Sequence, residues 1–211
     1  MISENIATLR ARIRDVSLKC KRNPSEIKII GITKSRAIDQ LQEAFASGIE
    51  DFGENKVQEA SLKHRGFPQA IWHMVGHLQT NKVKDAVNIF NLIQSVDSLA
   101  LAVAIDKEAF KIGKVQEILL EIKISPEEAK FGFDPQDFRS AFDRILQLKN
   151  LKIKGLMGIA PLVNNPQDAR PFFRVLKKIR DDIDGNLILS MGMTDDFEIA
   201  IEEGSDMIRI G

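Results

Sequence analysis

The stretch Ile27-Lys28-Ile29-Ile30-Gly31-Ile32-Thr33-Lys34 decides the fold class of this chain. Its first six residues are mostly apolar and β-branched, which is typical of a buried strand. Before it, the segment from Ile6 to Lys21 has apolar residues close to helical spacing, and after it Asp39 to Ser47 is predicted to form a helix that ends at Gly48. A buried strand flanked by helices is the repeating unit of α/β proteins.

The same alternation continues to the end of the chain. Seven further strands are predicted at Ile49–Phe52, Ile71–Val75, Leu92–Ser95, Gln116–Ile124, Ile153–Met157, Leu187–Ser190 and Met207–Ile210. Further helices are predicted between them at Lys56–Lys63, Thr80–Val87, Ser98–Phe110, Pro135–Gln147, Asp168–Ile183 and Asp196–Glu203. Strands that alternate with helices pair in parallel, and eight of them can close into a barrel. We therefore predict a single-domain (β/α)8 TIM barrel over residues 1–211, with the first helix on its bottom or side. The alternative is an open doubly wound sheet.

Composition excludes several functional classes. The chain has 211 residues, 44% hydrophobic and 28% charged, with a formal net charge of +0, so no global field attracts nucleic acid or a membrane surface. It has no run of about 18 apolar residues and no signal-type segment at its start. The single cysteine, Cys20, cannot form an internal disulfide. We therefore expect a cytoplasmic protein.

Two residues that follow the first two strands could carry chemistry. Lys34 follows the first strand directly, so it would project at the rim of a barrel, where desolvation favours Schiff-base formation with an aldehyde. The alternative is a lysine in a solvent-exposed loop. Asn55 follows the second strand and Gly53, and offers both a donor and an acceptor. Its alternative role is the N-cap of the next helix.

Two histidines accompany the third strand. His73 and His77 are four residues apart, and on a strand that spacing separates them by about 13 Å. No third ligand of suitable spacing accompanies them, so we expect no metal site. We expect His73 to face the barrel interior and His77 to lie at the rim.

The last two strands are followed by segments suited to an anion. The turn Ser190-Met191-Gly192-Met193-Thr194 opens a helix and would present backbone N–H groups and hydroxyls to a phosphate. The alternative is a simple N-cap by Thr194 or Asp195. Arg209-Ile210-Gly211 ends the sequence in the loop that completes the phosphate site of many barrels. We therefore expect the chain to be truncated just where this site closes.

Taken together, these stretches resemble the pyridoxal-phosphate homeostasis protein family, which is similar to the barrel domain of alanine racemase. The resemblance spans nearly the whole chain. It rests on Gly31–Lys34, Phe52–Glu59, Trp72–Lys82, Ser95–Asp97, Gly155–Met157, Ser190–Phe197 and Arg209–Gly211. Where the family often has asparagine this chain has Lys123, and where it often has a second lysine followed by proline this chain has Arg36 and Ala37.

The resemblance implies a bound cofactor, pyridoxal 5′-phosphate (PLP), held as a Schiff base on Lys34. It implies that the turn after the seventh strand and Gly211 hold the phosphate and that Arg209 faces the pyridine nitrogen. The implied cofactor contacts are Lys34, Asn55, His77, Met157, Ser190, Met191, Gly192, Thr194, Arg209 and Gly211.

The resemblance also implies a PLP-binding protein of intracellular vitamin B6 homeostasis without dedicated catalytic activity. A guanidinium cannot accept a proton, so Arg209 would keep the pyridine nitrogen unprotonated and the ring a weak electron sink. The chain has no tyrosine, the opposite-face base of alanine racemase. The alternatives are a low-activity amino-acid racemase, in which His77 or Lys130 supplies a proton, and a barrel without cofactor. We expect a monomer that contacts PLP-dependent apo-enzymes transiently.

Overall fold

The computed structural model describes residues 2–125 and 131–211. Within these ranges the chain forms eight strands, β1 (Lys28–Ile32), β2 (Asp51–Glu54), β3 (Ile71–Met74), β4 (Leu92–Val96), β5 (Gln116–Ile122), β6 (Leu151–Gly158), β7 (Ile188–Met193) and β8 (Met207–Ile210). Its helices in the same ranges are α1 (Ile2–Lys19), α2 (Ile38–Ala46), α3 (Val57–Gly66), α4 (Val83–Ile89), α5 (Leu99–Lys111), α6 (Phe138–Ile145), α7 (Arg170–Ile183) and α8 (Phe197–Glu202).

The strands close into a barrel. Each strand pairs in parallel with the next one along the chain, and β1 also pairs in parallel with β8. This closure confirms the predicted (β/α)8 TIM barrel and excludes the open sheet. It also brings the carboxyl ends of β1, β7 and β8 side by side, because β8 pairs with both of the other strands.

Side chains on the strands alternate between the helix layer and the barrel interior, as the two-residue period of a strand requires. Phe52 and Trp72 are fully buried in the main core between the strands and the helices. Leu92, Leu119 and Met157 form a separate buried cluster. This second cluster is an apolar layer inside the barrel.

Helix α1 covers the side of the barrel, between α8 and α2. Its residues Ile13 and Val16 are buried against Phe197 and Ile201 of α8 and Ile208 of β8. Burying one such aliphatic side chain contributes about 1.5–3 kcal/mol to folding. The helix therefore closes a gap in the outer layer and leaves the mouth of the barrel open.

The predicted boundary of β2 is wrong for a physical reason. The sequence predicts Ile49–Phe52, whereas the strand is Asp51–Glu54. Both polar ends of the strand are buried and paired with basic side chains, so an apolar run does not mark it. For the other helices and strands, the observed ends differ from the predicted ends by no more than four residues. One such difference is at β7, which continues past its predicted end to Met193.

Candidate binding site at the carboxyl ends of the strands

The turn that carries Lys34 follows β1 directly. The sequence predicts that the amine of Lys34 is desolvated at the rim. Lys34 is exposed in this structure, so that prediction is wrong. The next residue, Ser35, has a φ of +58°, in the left-handed region that residues with a side chain rarely adopt. A backbone in that conformation persists only where neighbouring groups hold it.

Three charged residues form a cluster behind this turn, which we name the Lys63 cluster. Lys63 Nζ lies 2.5 Å from Glu54 Oε1 and 2.8 Å from Glu59 Oε1. Lys63 is 7% exposed and Glu54 is fully buried. The hydrogen bonds from Lys63 and from the backbone N–H of Ser35 hold the pKa of Glu59 below its ordinary value. The cluster therefore joins β2 and α3 to the backbone beside Lys34.

The turn after β7 meets the end of β8. Gly192 has a φ of +92°, and the backbone N–H of Met193 donates to Asp196 Oδ1 at 2.6 Å. The N–H of Gly211 donates to Thr194 Oγ1 at 3.3 Å, and both of these residues are exposed. A hydroxyl and backbone from two neighbouring strand ends thus converge at one side of the mouth.

The N-cap alternatives for both polar turns are wrong. Helix α8 is capped by Asp196, not by Thr194 or Asp195, and it spans only six residues. Helix α3 begins after Lys56, and Asn55 is exposed in the bend before it. A helix as short as α8 has a small dipole, so any anion at this turn depends mainly on the N–H groups and the Thr194 hydroxyl.

Arg209 lies inside the barrel and not at its surface. It donates from Nη1 to the carbonyl O and Oγ of Ser190, at 2.9 and 2.8 Å, and from Nη2 to the carbonyl O of Gly158 at 2.9 Å. Burial lowers the pKa of Arg209 to about 10, although the negative charges of Glu121 and Asp196 oppose that change. Arg209 therefore remains a cation at neutral pH, buried inside the barrel.

Three of the predicted contact residues have fully buried side chains. The hydroxyl of Ser190 donates to Gln94 Oε1 at 2.6 Å inside the barrel. Met191 packs in the outer core, and Met157 packs in the apolar interior layer. The structure does not bring these three side chains to the exposed mouth, because the strand alternation directs them elsewhere.

A network of hydrogen bonds that was not predicted from the sequence continues from Ser190 through the barrel. Gln94 Nε2 donates to His73 Nδ1 at 3.0 Å, so the other ring nitrogen of His73 carries the hydrogen and donates to Asp51 Oδ1 at 2.8 Å. Lys28 Nζ also donates to Asp51, at 3.0 Å. Burial raises the pKa of Asp51, but the bonds from His73 and Lys28 outweigh it and leave the pKa below its ordinary value.

The sequence marks only two of these residues, because His73 in β3 and Ser190 in β7 are the one polar residue of an otherwise apolar strand. His73 faces the interior, as predicted, and is 2% exposed. Gln94 and Asp51 were not singled out, because their roles depend on which strands are neighbours.

The mouth above β3 and β5 contains a cavity of about 310 Å³. His77 lines it, at the rim as predicted, with Nδ1 2.9 Å from Asp97 Oδ2 and its ring stacked on Phe131 at 3.6 Å. Glu121 lines the same cavity. Burial, with the nearby negative charge of Asp97, raises the pKa of Glu121 to about 7 against the opposing charge of Arg209. Glu121 is therefore a titratable acid near neutral pH, a property that the sequence does not predict.

Residues 2–125 and 131–211 offer no candidate for a metal site or a membrane span. No group of three or more His, Cys, Asp and Glu there could hold a metal ion. No helix in these ranges is long and apolar enough to cross a membrane. Lys130, the second proton donor considered from sequence, lies outside the described residues.

The fold and this mouth are those of a known class of barrel. The family model described as alanine racemase, N-terminal domain, matches residues 4–211, and this chain belongs to that family. A pyridoxal phosphate homeostasis protein of Aquifex aeolicus (strain VF5) is 39% identical, over 99% of this chain and 94% of its own length. One of Synechocystis sp. is 38% identical, over 89% of this chain and 90% of its own length.

A solved structure of PipY from Synechococcus elongatus PCC7942, with PLP bound, is also similar. It is 34% identical, covers 100% of this chain and 98% of its own, and superposes with a TM-score of 0.86. These findings confirm the resemblance inferred from the sequence. The contacts of individual side chains with a ligand stay predictions.

Proposed function

We propose that this chain binds PLP covalently on Lys34 and serves PLP homeostasis rather than acting as a dedicated enzyme. The main support for this proposal is that segments after three neighbouring strands lie together at the mouth. They are the Lys34 turn after β1, the Thr194 turn after β7 and Gly211 after β8. PLP is bound through a lysine amine, a site for its phosphate and an Asp or Arg partner for its ring nitrogen. The names of the relatives and the PLP bound in PipY support the same ligand.

The residues at the mouth fit the cofactor. The Thr194 hydroxyl, the N–H groups of Thr194 and Asp195 in its turn, and the N–H of Gly211, whose bond to Thr194 Oγ1 is long at 3.3 Å, would hold the phosphate. Arg209 would face the ring nitrogen, because its three described bonds leave two of its five N–H groups without an acceptor among the described residues. Ser190, proposed from sequence as a phosphate ligand, fits better as the acceptor that orients Arg209. Asn55 and His77 stand at the rim as further contacts.

The covalent step is a condensation. Lys34 would supply the amine: its ammonium would lose one proton, its nitrogen would bond the aldehyde carbon of PLP, and the two remaining amine hydrogens would leave with the carbonyl oxygen as water. Bound PLP supplies this aldehyde and a ring that can withdraw electrons from an attached amino acid. Arg209 is a fixed cation, so it disfavours a proton on the ring nitrogen and weakens that withdrawal.

The same features favour storage and delivery over catalysis. We propose that the chain acts as a monomer in the cytoplasm and releases PLP to PLP-dependent apo-enzymes by transient contact. Sedimentation of the purified protein tests the oligomeric state, since a dimer would sediment as a particle of twice the mass. Transfer to an apo-enzyme is tested by its recovery of activity in the presence of the loaded protein.

Reductive trapping tests the site. Wild-type protein incubated with PLP and borohydride should carry one adduct, which peptide mass mapping locates at Lys34, and Lys34→Ala should carry none there. Pyridoxal, which lacks the phosphate, should bind much more weakly than PLP. An adduct at full occupancy on another lysine of the Lys34→Ala variant would overturn the assignment, and equal affinities for PLP and pyridoxal would remove the phosphate site.

A slow racemase is the second candidate, and one observation favours it. Glu121 has a pKa of about 7 and lines the mouth cavity with His77, so a proton-transfer group is present. Chiral analysis after incubation of the PLP-loaded protein with L-alanine separates the two candidates. Racemization faster than that by free PLP would establish a racemase, slow if its rate stays well below the about 10 per second of an ordinary enzyme. Absence of racemization supports the homeostasis protein.

A further inference from the structure

The Lys34 turn is held on both sides by one buried charged cluster. The carbonyl oxygen of Thr33, the residue before Lys34, accepts a hydrogen bond from Lys63 Nζ. The N–H of Ser35, the residue after it, donates to Glu59 Oε1 at 2.8 Å. The Lys63 cluster thus contacts the backbone immediately before and immediately after the lysine.

Each N–H donor of the Lys63 ammonium group has a hydrogen-bond acceptor. An ammonium group has three N–H donors, and those of Lys63 go to Glu54, to Glu59 and to the Thr33 carbonyl. The hydroxyl of Thr33 adds a bond of 2.5 Å to the same Glu54 oxygen. The Thr33 backbone is therefore tied to α3 through Lys63, and its side chain to β2 through Glu54.

Burying such a cluster is unfavourable compared with packing apolar side chains of similar volume. Desolvation of Lys63 and Glu54 offsets their attraction, so a buried ion pair is weak evidence of a contribution to stability. A role in fixing one conformation explains its presence better. Here the conformation includes the left-handed Ser35, which would otherwise relax to a more favourable backbone angle.

We propose that Lys63 and Glu59 are positioning residues that hold the Lys34 turn for reaction with PLP. The proposal rests on the proposed function, in which Lys34 is the reacting amine. Neither residue touches the cofactor in this scheme. Their effect is to keep the Lys34 backbone in one place, so that its flexible side chain samples a small volume around the aldehyde.

Replacing Glu59 tests this proposal with little risk to folding. Glu59 is partly exposed, and its replacement leaves the buried Glu54 still paired with Lys63. Glu59→Ala removes the acceptor of the Ser35 N–H and one bond of Lys63. We expect the Lys34 adduct to form about tenfold more slowly, with the protein still folded by circular dichroism. Glu59→Gln keeps an acceptor oxygen at the same place and should restore most of the rate.

The matched control is Glu117→Ala. Like Glu59, Glu117 forms ion pairs, in its case with Lys152 and Lys154. It lies at the amino-terminal end of β5, away from the mouth. Its removal should not change the rate of adduct formation. An unchanged rate in Glu59→Ala, or an equal slowing in Glu117→Ala, would overturn the proposal.

A second readout separates this proposal from the proposed function. Hydrogen exchange of the Ser35 amide needs no PLP, and its bond to Glu59 should protect it in the wild type. Exchange should become at least about tenfold faster in Glu59→Ala and return toward the wild-type rate in Glu59→Gln. Equal exchange in wild type and Glu59→Ala would overturn the positioning role. Failure of the wild type to form any Lys34 adduct would instead overturn the proposed function, with the exchange result still deciding whether the cluster holds the turn.

Discussion

The two sides of the barrel mouth are built in different ways. On the β1 side, the Lys34 turn is held by side chains, the buried Lys63 cluster. On the β7 and β8 side, the Thr194 turn is held mostly within its own backbone segment: Gly192 is left-handed, the N–H of Asp196 donates to the carbonyl oxygen of Met193, and the N–H of Met193 donates to the nearby side chain of Asp196. In the proposed function, the first side would place the Lys34 side chain, and the second would present N–H groups to the phosphate. Each construction suits its task.

The largest expected effect comes from breaking the backbone-built side at Gly192. A Cβ there would lie 2.4 Å from the Cβ of Ala200 and 3.1 Å from the Cα of Phe197, and φ is +92°. Gly192→Val should lower the free energy of unfolding by about 3 kcal/mol or more, from overpacking and backbone strain together. Urea denaturation measures this. Gly185→Ala, with no atom within 4 Å of its Cβ, is the control and should change stability little. Equal stability of Gly192→Val and wild type would show that the turn is not constrained.

The buried carboxyl of Glu121, on β5 across the mouth, predicts a pH dependence. The pKa of Glu121 rises from 4.5 to about 7 on folding, so the native state binds this proton more tightly and stability falls as pH rises from about 4.5 through 7. The loss approaches about 3 kcal/mol at high pH. Glu121→Gln should remove most of this fall and be more stable than wild type at pH 8. Denaturation at several pH values between 5 and 8 measures this fall in stability. Glu117→Gln is the control, because Glu117 is partly exposed. Parallel curves for Glu121→Gln and wild type would contradict the prediction.

Thr194→Val tests whether the backbone-built side binds the phosphate, because it removes the hydroxyl and keeps the shape of the side chain. One hydrogen bond is worth about 1 kcal/mol, so PLP affinity should fall about fivefold to tenfold while the affinity for pyridoxal stays the same. Spectroscopic titration with both ligands measures the difference. Thr8→Val, exposed on α1, is the control. A similar loss of affinity for pyridoxal would place the effect outside the phosphate site.

The smallest effect is expected at the far end of the interior chain of hydrogen bonds. The Lys28 side chain is 42% exposed, and Asp51 keeps its bond to His73 when Lys28 is replaced. Lys28→Met should therefore cost less than about 1 kcal/mol at pH 7. The pKa of Asp51 is lowered on folding, so the contribution of the pair is present at neutral pH and is lost as the carboxylate is protonated in acid. Thermal unfolding at pH 7 and near pH 3 checks this, and a difference that grows in acid would contradict it.

The sequence by itself determined the barrel and the order of the candidate groups at its mouth. Eight apolar strands alternating with helices have few ways to bury their apolar faces, and a parallel closed barrel is one of them. The position of Lys34 after β1 and of the Thr194 turn and Gly211 after β7 and β8 followed from the local order of residues. These features depend on neighbours in the chain, which a sequence shows directly.

Tertiary structure alone decided how each of these groups is held. Ser190 and Gln94 are 96 residues apart and share a hydrogen bond, because β4 and β7 face each other across the barrel interior. Glu121 acquires its unusual pKa from burial and from the charges of Asp97 and Arg209, which lie far from it in the chain. Burial and long-range pairing are properties of the closed barrel, so the residues that orient Arg209 and the Lys34 turn carry no local signal of their roles.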